Sequence, residues 1–248
     1  MSKKKYLKVL SIDFDFFQNA EPQTLIDCYP DGKDLSTDLT MLTWMTHYAV
    51  KPVYNKLMDV TINLERLGEL EEILLNQKYK TPYMAVQSHI HIYDFIKNHF
   101  SDKYDGCRIV NIDMHHDCFN DNPEVDCGNW VGHIIKDLPD CQVSWIANPS
   151  SEEVYGVKSL KNVISYDFDS IRNAKFDLIF LCRSDTWTPP HLDPYFDELY
   201  QILTNNFEGG MIDPQITKPR DFEEIKNAAE QHRKQIETLY KLNHQKKG

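Results

Sequence analysis

A chain of 248 residues with 41% hydrophobic content carries enough apolar side chain to fill a substantial core, which argues against a disordered protein. Its 38 acidic residues against 27 basic give a formal net charge of −11, which speaks against nucleic acid as a partner and favours metal ions or cationic substrates. Six cysteines without a C-x-x-C pair give no sign of a zinc knuckle or a dithiol motif, and no apolar run reaches membrane-spanning length, so a reducing, cytoplasmic setting without a membrane partner is expected.

In chain order, "YLKVLSI" at 6–12 reads as a strand and "LERLGELEEILLNQ" at 64–77, with apolar residues three and four apart, as a helix. "YMAVQ" at 83–87 is a second strand followed by a helix at 92–100, and "RIVNI" at 108–112 is a third followed by a helix at 129–138. Strands at 142–147, 162–166 and 177–182 precede a helix at 191–205. The segment 221–245 is a long helix, acidic at its start and basic toward its end as the helix dipole favours, and is expected to pack or cap. This alternation predicts an α/β fold, a mostly parallel sheet flanked by helices, in one domain over 1–248. The stretch "NNFEGGMIDPQITKPR" at 205–220 is read as a joint to the last helix.

Acids and histidines gather where strands end, which is where open parallel sheets collect ligands. Asp13 and Asp15 follow the first strand, His89 and His91 the second, and Asp113, His115, His116 and Asp117 the third; Asp185 follows "LIFLCRS". Alternate residues of an extended strand share a face, which would align Asp13 with Asp15 and Asp113 with His115 and Asp117. "SIDFD" alone would serve equally as a helix cap, and the histidines of "SHIH" alone read as packing residues. "DMHHD" on a buried strand is harder to explain without cations among its anions. Carboxylates with one or two imidazoles suit a hard to borderline divalent ion such as manganese.

Those residues carry a family resemblance. "NIDMHHD" resembles the D-x-H-x-D signature of the arginase and ureohydrolase superfamily, and "SIDFD" resembles its S-x-D-x-D signature. His89 lies where that superfamily supplies one further histidine ligand, with His91 as the neighbouring alternative, and "CGNWVGH" resembles its loop of substrate contacts. With "DFDFF" and "SDTWTPP", the set is most similar to a small arginase-like subgroup that includes the peptide arginases, which convert arginine side chains of ribosomally made precursor peptides into ornithine.

The resemblance implies an arginase-like fold and two manganese ions, bridged by Asp113 and Asp13, with His89 and Asp117 completing one and His115 and Asp15 the other. It implies a hydrolase of linear amidines that releases urea, with Asp117 also steadying the tetrahedral intermediate, Asp185 holding the guanidinium, and Asn129 and Cys127 touching substrate. An arginine-containing precursor peptide is the implied partner. The pattern departs from the family in two places: its S-x-D-x-D strand stands first in the chain, with "SYDFDS" at 165–170 as a second candidate, and Val131 replaces a proton-shuttling histidine, for which His133 or His116 is the substitute. Free arginine, agmatine or another small guanidino compound is the nearest alternative substrate. Other classes are a zinc deacylase, a haloacid-dehalogenase-type phosphatase and a non-catalytic metal-binding protein. The acidic loop "NDNPEVD" (Asp121, Glu124, Asp126) reads either as a solvated turn or as a surface that steers a cationic partner.

Overall fold

The computed structural model describes residues 4–30, 32–155, 164–218 and 220–245, with side chains of 164 and 239–245 left out of the description. The strands are β1 (Tyr6–Asp13), β2 (Gln18–Asn19), β3 (Thr61–Ile62), β4 (Tyr83–Val86), β5 (Gly106–Asp113), β6 (Cys141–Ala147), β7 (Ile164–Ser165), β8 (Leu178–Cys182) and β9 (Met211–Ile212). The helices are α1 (Pro22–Cys28), α2 (Thr37–Ala49), α3 (Lys51–Met58), α4 (Leu64–Leu75), α5 (His91–His99), α6 (Trp130–Asp137), α7 (Ser151–Tyr155), α8 (Asp193–Asn206) and α9 (Phe222–Gln245).

The sheet runs β7-β6-β5-β1-β8-β4-β9, and every pairing in it is parallel. Its first six members are the strands expected from the sequence, and β9 adds a two-residue edge; residues 162–163 of the expected strand 162–166 lie outside the described residues. Strands buried on both faces read as continuous apolar runs, which is why "YLKVLSI" and "LIFLC" stand out. Leu10 and Ile12 of β1 pack on one face with Leu67 and Leu70 of α4 and Phe196 and Leu199 of α8. Leu7 and Val9 face the other way, toward Ile92 and Phe95 of α5 and Trp130 and Ile134 of α6.

The region 18–63 was left without elements by the sequence pattern, yet it forms α1 to α3 and the small antiparallel pair β2-β3. The α2 segment "TDLTMLTWMTHYA" is rich in threonine and lacks a clean apolar stripe, so local preference says little. Tertiary packing decides it: Trp44 and Tyr48 of α2 are buried in a third cluster with Tyr29, Leu57 and Ile225 of α9. The long terminal helix thus packs, as expected, and Asp221 caps it by accepting from the Glu224 amide at 3.0 Å.

The strand order places the site. From β5 the chain moves outward to β6 and β7, then returns to β8 on the far side of β1. Parallel sheets open a crevice at such a reversal, beyond the carboxyl ends of the strands. Ile12 is level with Ile112, and Asp13 is level with Cys182, so β1, β5 and β8 end together.

Candidate metal centre

Asp13 and Asp113 are the last residues of their strands, and each carboxylate turns back on its own backbone. Asp13 Oδ1 accepts from the Asp15 amide at 3.4 Å, and Asp113 Oδ1 accepts from the His115 amide at 2.7 Å. Aspartate commonly ends extended structure in this way. The shared strand face expected for Asp15, His115 and Asp117 is therefore corrected: Asp15 lies in a 3-10 turn, Phe14–Phe17, and Asp117 has a left-handed φ of 52°. These turns still swing all of them inward. Asp15 Oδ1 is then held by the Met114 amide at 3.3 Å, which ties the end of β1 to the end of β5.

Three carboxylate oxygens converge on His89 Nδ1: Asp13 Oδ2 at 3.1 Å, Asp113 Oδ2 at 3.1 Å and Asp117 Oδ2 at 3.2 Å. An imidazole nitrogen carries at most one proton, and none of these contacts is aligned as a hydrogen bond. His115 Nδ1 lies 3.0 Å from Asp15 Oδ2 and 3.5 Å from Asp113 Oδ1; Asp15 Oδ2 also lacks a hydrogen bond. The donors form two groups, Asp13–His89–Asp113 and Asp15–Asp113–His115, with Asp113 common to both, whereas Asp13, expected as a second bridge, falls in the first group alone. Donor atoms about 2.1 Å from a divalent ion in octahedral geometry lie about 3 Å from one another, which is the spacing seen here. Buried Asp and His in this arrangement could hold a metal ion.

Electrostatics agrees. Asp13, Asp15, Asp113 and Asp117 are all almost wholly buried, and two imidazoles cannot neutralise four carboxylates. Burial, then Asp15 and Asp113, push the Asp13 carboxyl up to about 7, and burial and Asp113 push Asp117 well above its usual range. Burial also raises Asp15. For Asp113 burial is outweighed by hydrogen bonds from His115 and His89, which hold it well below the usual range. Without cations the cluster must share protons; divalent ions would take their place.

The outer nitrogens of both histidines are anchored by hydroxyls. His89 Nε2 meets Ser11 Oγ at 2.8 Å, and His115 Nε2 meets Tyr155 Oη at 3.0 Å. Trp130 Nε1 donates to Asp117 Oδ2 at 2.5 Å. Partners of this kind orient ligands and raise their basicity, so Ser11→Ala is expected to weaken metal binding about 10–100-fold, read by competition with a fluorescent chelator. An unchanged affinity would remove Ser11 from the site.

The remaining expected residues fall into three sets. Among the histidines, His91 is exposed at the start of α5, so His89 is the one the fold brings in. His116 accepts from the Cys118 amide at 3.0 Å and packs with a tilted ring against Phe119, with burial holding it down to about 4; His133 Nε2 sits 2.9 Å from the Asn122 carbonyl. Neither lines the cleft, so the shuttle role given to His116 and His133 has no geometric support. Of the second "DFD", Asp167 and Asp169 are exposed and belong to neither donor group, whereas Asp13 and Asp15 each belong to one.

The substrate contacts expected from sequence are corrected in part. Cys127 lines the cleft, its thiol pushed up by burial. Asn129 is buried and spends its amide on the loop, donating to Asn120 Oδ1 and the Glu124 carbonyl at 3.0 Å each and accepting from the Asp126 amide at 2.8 Å. Asp185 is not open to a substrate guanidinium, because Arg183 already occupies it: Nε reaches Oδ1 at 2.5 Å and Nη2 reaches Oδ2 at 2.9 Å. Arg220 adds a hydrogen bond to the Asp185 carbonyl and pairs with buried Asp193. Asp185→Asn should therefore cost stability, about 3–5 kcal/mol, seen as a lower denaturation midpoint with metal content unchanged. Loss of metal in that variant would contradict its placement outside the donor groups.

A cavity of about 570 Å³ opens over Asp13, His89, His115 and Asp117. It is lined also by Tyr29, Trp187, Tyr155 and Phe119 and by the charged pair Lys33 and Asp126. Of these, Ser11, Tyr155 and Lys33 left no mark in the sequence pattern, whereas Trp130 sits inside the "GNW" motif. No protein-family model, no curated protein and no solved structure matches the chain. Among the described residues, no helix is long and apolar enough to cross a membrane.

Proposed function

We propose that the chain is a dinuclear manganese hydrolase that acts on the guanidino group of an arginine side chain within a peptide. The observation that carries this reading is the pair of donor groups sharing Asp113 at the floor of a cleft. The donors are carboxylates and imidazoles without a thiolate, a set that suits manganese better than a thiolate-loving ion. Asp13, His89, Asp113 and Asp117 would hold one ion and Asp15, Asp113 and His115 the other. When bound, such a pair supplies hydroxide near neutral pH.

The rest falls to the protein. The reaction adds water across the guanidinium carbon and breaks its bond to the side-chain nitrogen, so arginine becomes ornithine and the released carbon leaves as urea, with the positive charge kept on the amine. Asp117, which accepts from Trp130 and lines the cleft, would accept hydrogen bonds from the amino groups of the tetrahedral intermediate. Walls of Tyr29, Phe119, Tyr155 and Trp187 give a flat cation aromatic faces to lie against. The peptide setting is favoured by the mouth, where Ile26 and Phe119 are 56% and 45% exposed apolar side chains beside an acidic loop. Urea release from an arginine-containing peptide by manganese-loaded protein tests the reading; none from any guanidino compound would end it.

A further inference from the structure

The lining of the cleft holds a buried carboxylate. Asp126 is only 6% exposed, and its Oδ1 is fixed by the Gly128 amide at 3.0 Å. Its Oδ2 is buried without a hydrogen bond, on a residue that lines the cavity. The backbone behind it is immobilised by Asn129, whose Oδ1 accepts the Asp126 amide. A desolvated carboxylate oxygen held this firmly demands a cation.

The cation present is Lys33, whose Nζ lies 3.2 Å from Oδ2. Its side chain is 59% exposed and arrives from the loop between α1 and α2, next to Gly32 with a φ of +97°. An ion pair with so exposed a partner is weak, because ordering a long side chain and losing its hydration offset most of the attraction. Lys33 thus brings to the cleft lining an alkyl chain ending in a positive charge, the same chemistry as a cationic substrate side chain.

We infer that Asp126 anchors the cationic head of the substrate side chain, and that Lys33 fills that place in the free protein as an internal competitor. The inference rests on the proposed hydrolase reading only for the identity of that side chain, arginine. It also gives the site an anion to replace Asp185, whose oxygens are committed to Arg183.

The test is a calorimetric titration of manganese-loaded protein with Nα-acetyl-lysinamide, which carries the cation but no guanidino carbon, against Nα-acetyl-norleucinamide, which carries neither. Asp126→Asn should weaken the lysine probe by about tenfold or more, the range of a charge-assisted bond, while leaving the norleucine probe and the manganese content unchanged. Lys33→Met, a change at an exposed position, should tighten the lysine probe by removing its rival. Equal loss of both probes in Asp126→Asn, or no change in either variant, would overturn the assignment. Charge-dependent binding through Asp126 without urea release from arginine peptides would keep the assignment and refute the hydrolase. Urea release with a KM indifferent to Asp126→Asn would do the opposite.

Discussion

Asp113→Asn is expected to leave a folded protein that binds no manganese and has lost at least about a thousandfold in turnover. Asp113 is the one residue common to both donor groups, with Oδ2 toward His89 and Oδ1 toward His115. An amide keeps the size of the side chain and an oxygen for the His115 amide, so the turn at the end of β5 can persist. It removes the negative charge that both groups share and puts an amide nitrogen in place of the Oδ2 that faces His89. Wild-type protein dialysed in manganese should carry close to two ions by elemental analysis, the variant close to none, and both should give the same circular dichroism. Asp167→Ala, at an exposed turn, should bind as the wild type does. Retention of metal by Asp113→Asn would sink the shared-ligand geometry, and a reproducible single zinc in the wild type would favour a deacylase.

The second large effect separates a peptide substrate from a free amino acid. Free arginine brings an α-ammonium and an α-carboxylate, and a site that accepts them well must offer buried polar partners. Ile26, Phe119 and Val154 of the lining satisfy neither group, and its charged pair Lys33–Asp126 is closed on itself at 3.2 Å. An amide-linked arginine loses nothing there and gains apolar contact. The expected outcome is ornithine in the peptide, seen as a mass loss of one carbodiimide unit per modified arginine. Free arginine should show a kcat/KM lower by about a hundredfold or more. A higher kcat/KM for free arginine or agmatine would make the protein a small-molecule ureohydrolase and end the peptide reading.

Legibility in the sequence followed the range of the forces involved. Each of the six long apolar runs became a strand of one parallel sheet, because a strand buried on both faces must be apolar along its length. The cluster of buried acids and imidazoles that could hold a metal ion was also legible: at strand ends they have no structural use that their neighbours in sequence can supply. The reason given for their convergence was wrong in detail. Extended alternation stops at Asp13 and Asp113, and each aspartate instead folds the chain back on itself, so that Asp15, His115 and Asp117 enter from turns.

What only the tertiary structure decided is which side chains meet. Asp185 read as a free carboxylate although Arg183 stands two residues before it, because only the folded loop turns that guanidinium onto it, and "H-x-H" became one buried donor, His89, and one exposed residue only when β4 was set beside β8. The α2 segment is helical because Trp44 and Tyr48 are buried with Ile225 of α9, a contact no local propensity encodes. Asp126 reads as one of three acids in a solvated loop, and it differs from Asp121 and Glu124 because Gly128 and Asn129 fold it inward and strip its water. Composition and period report on burial, which each residue meets by itself. Charge pairing depends on which two residues meet, and that is a property of the fold.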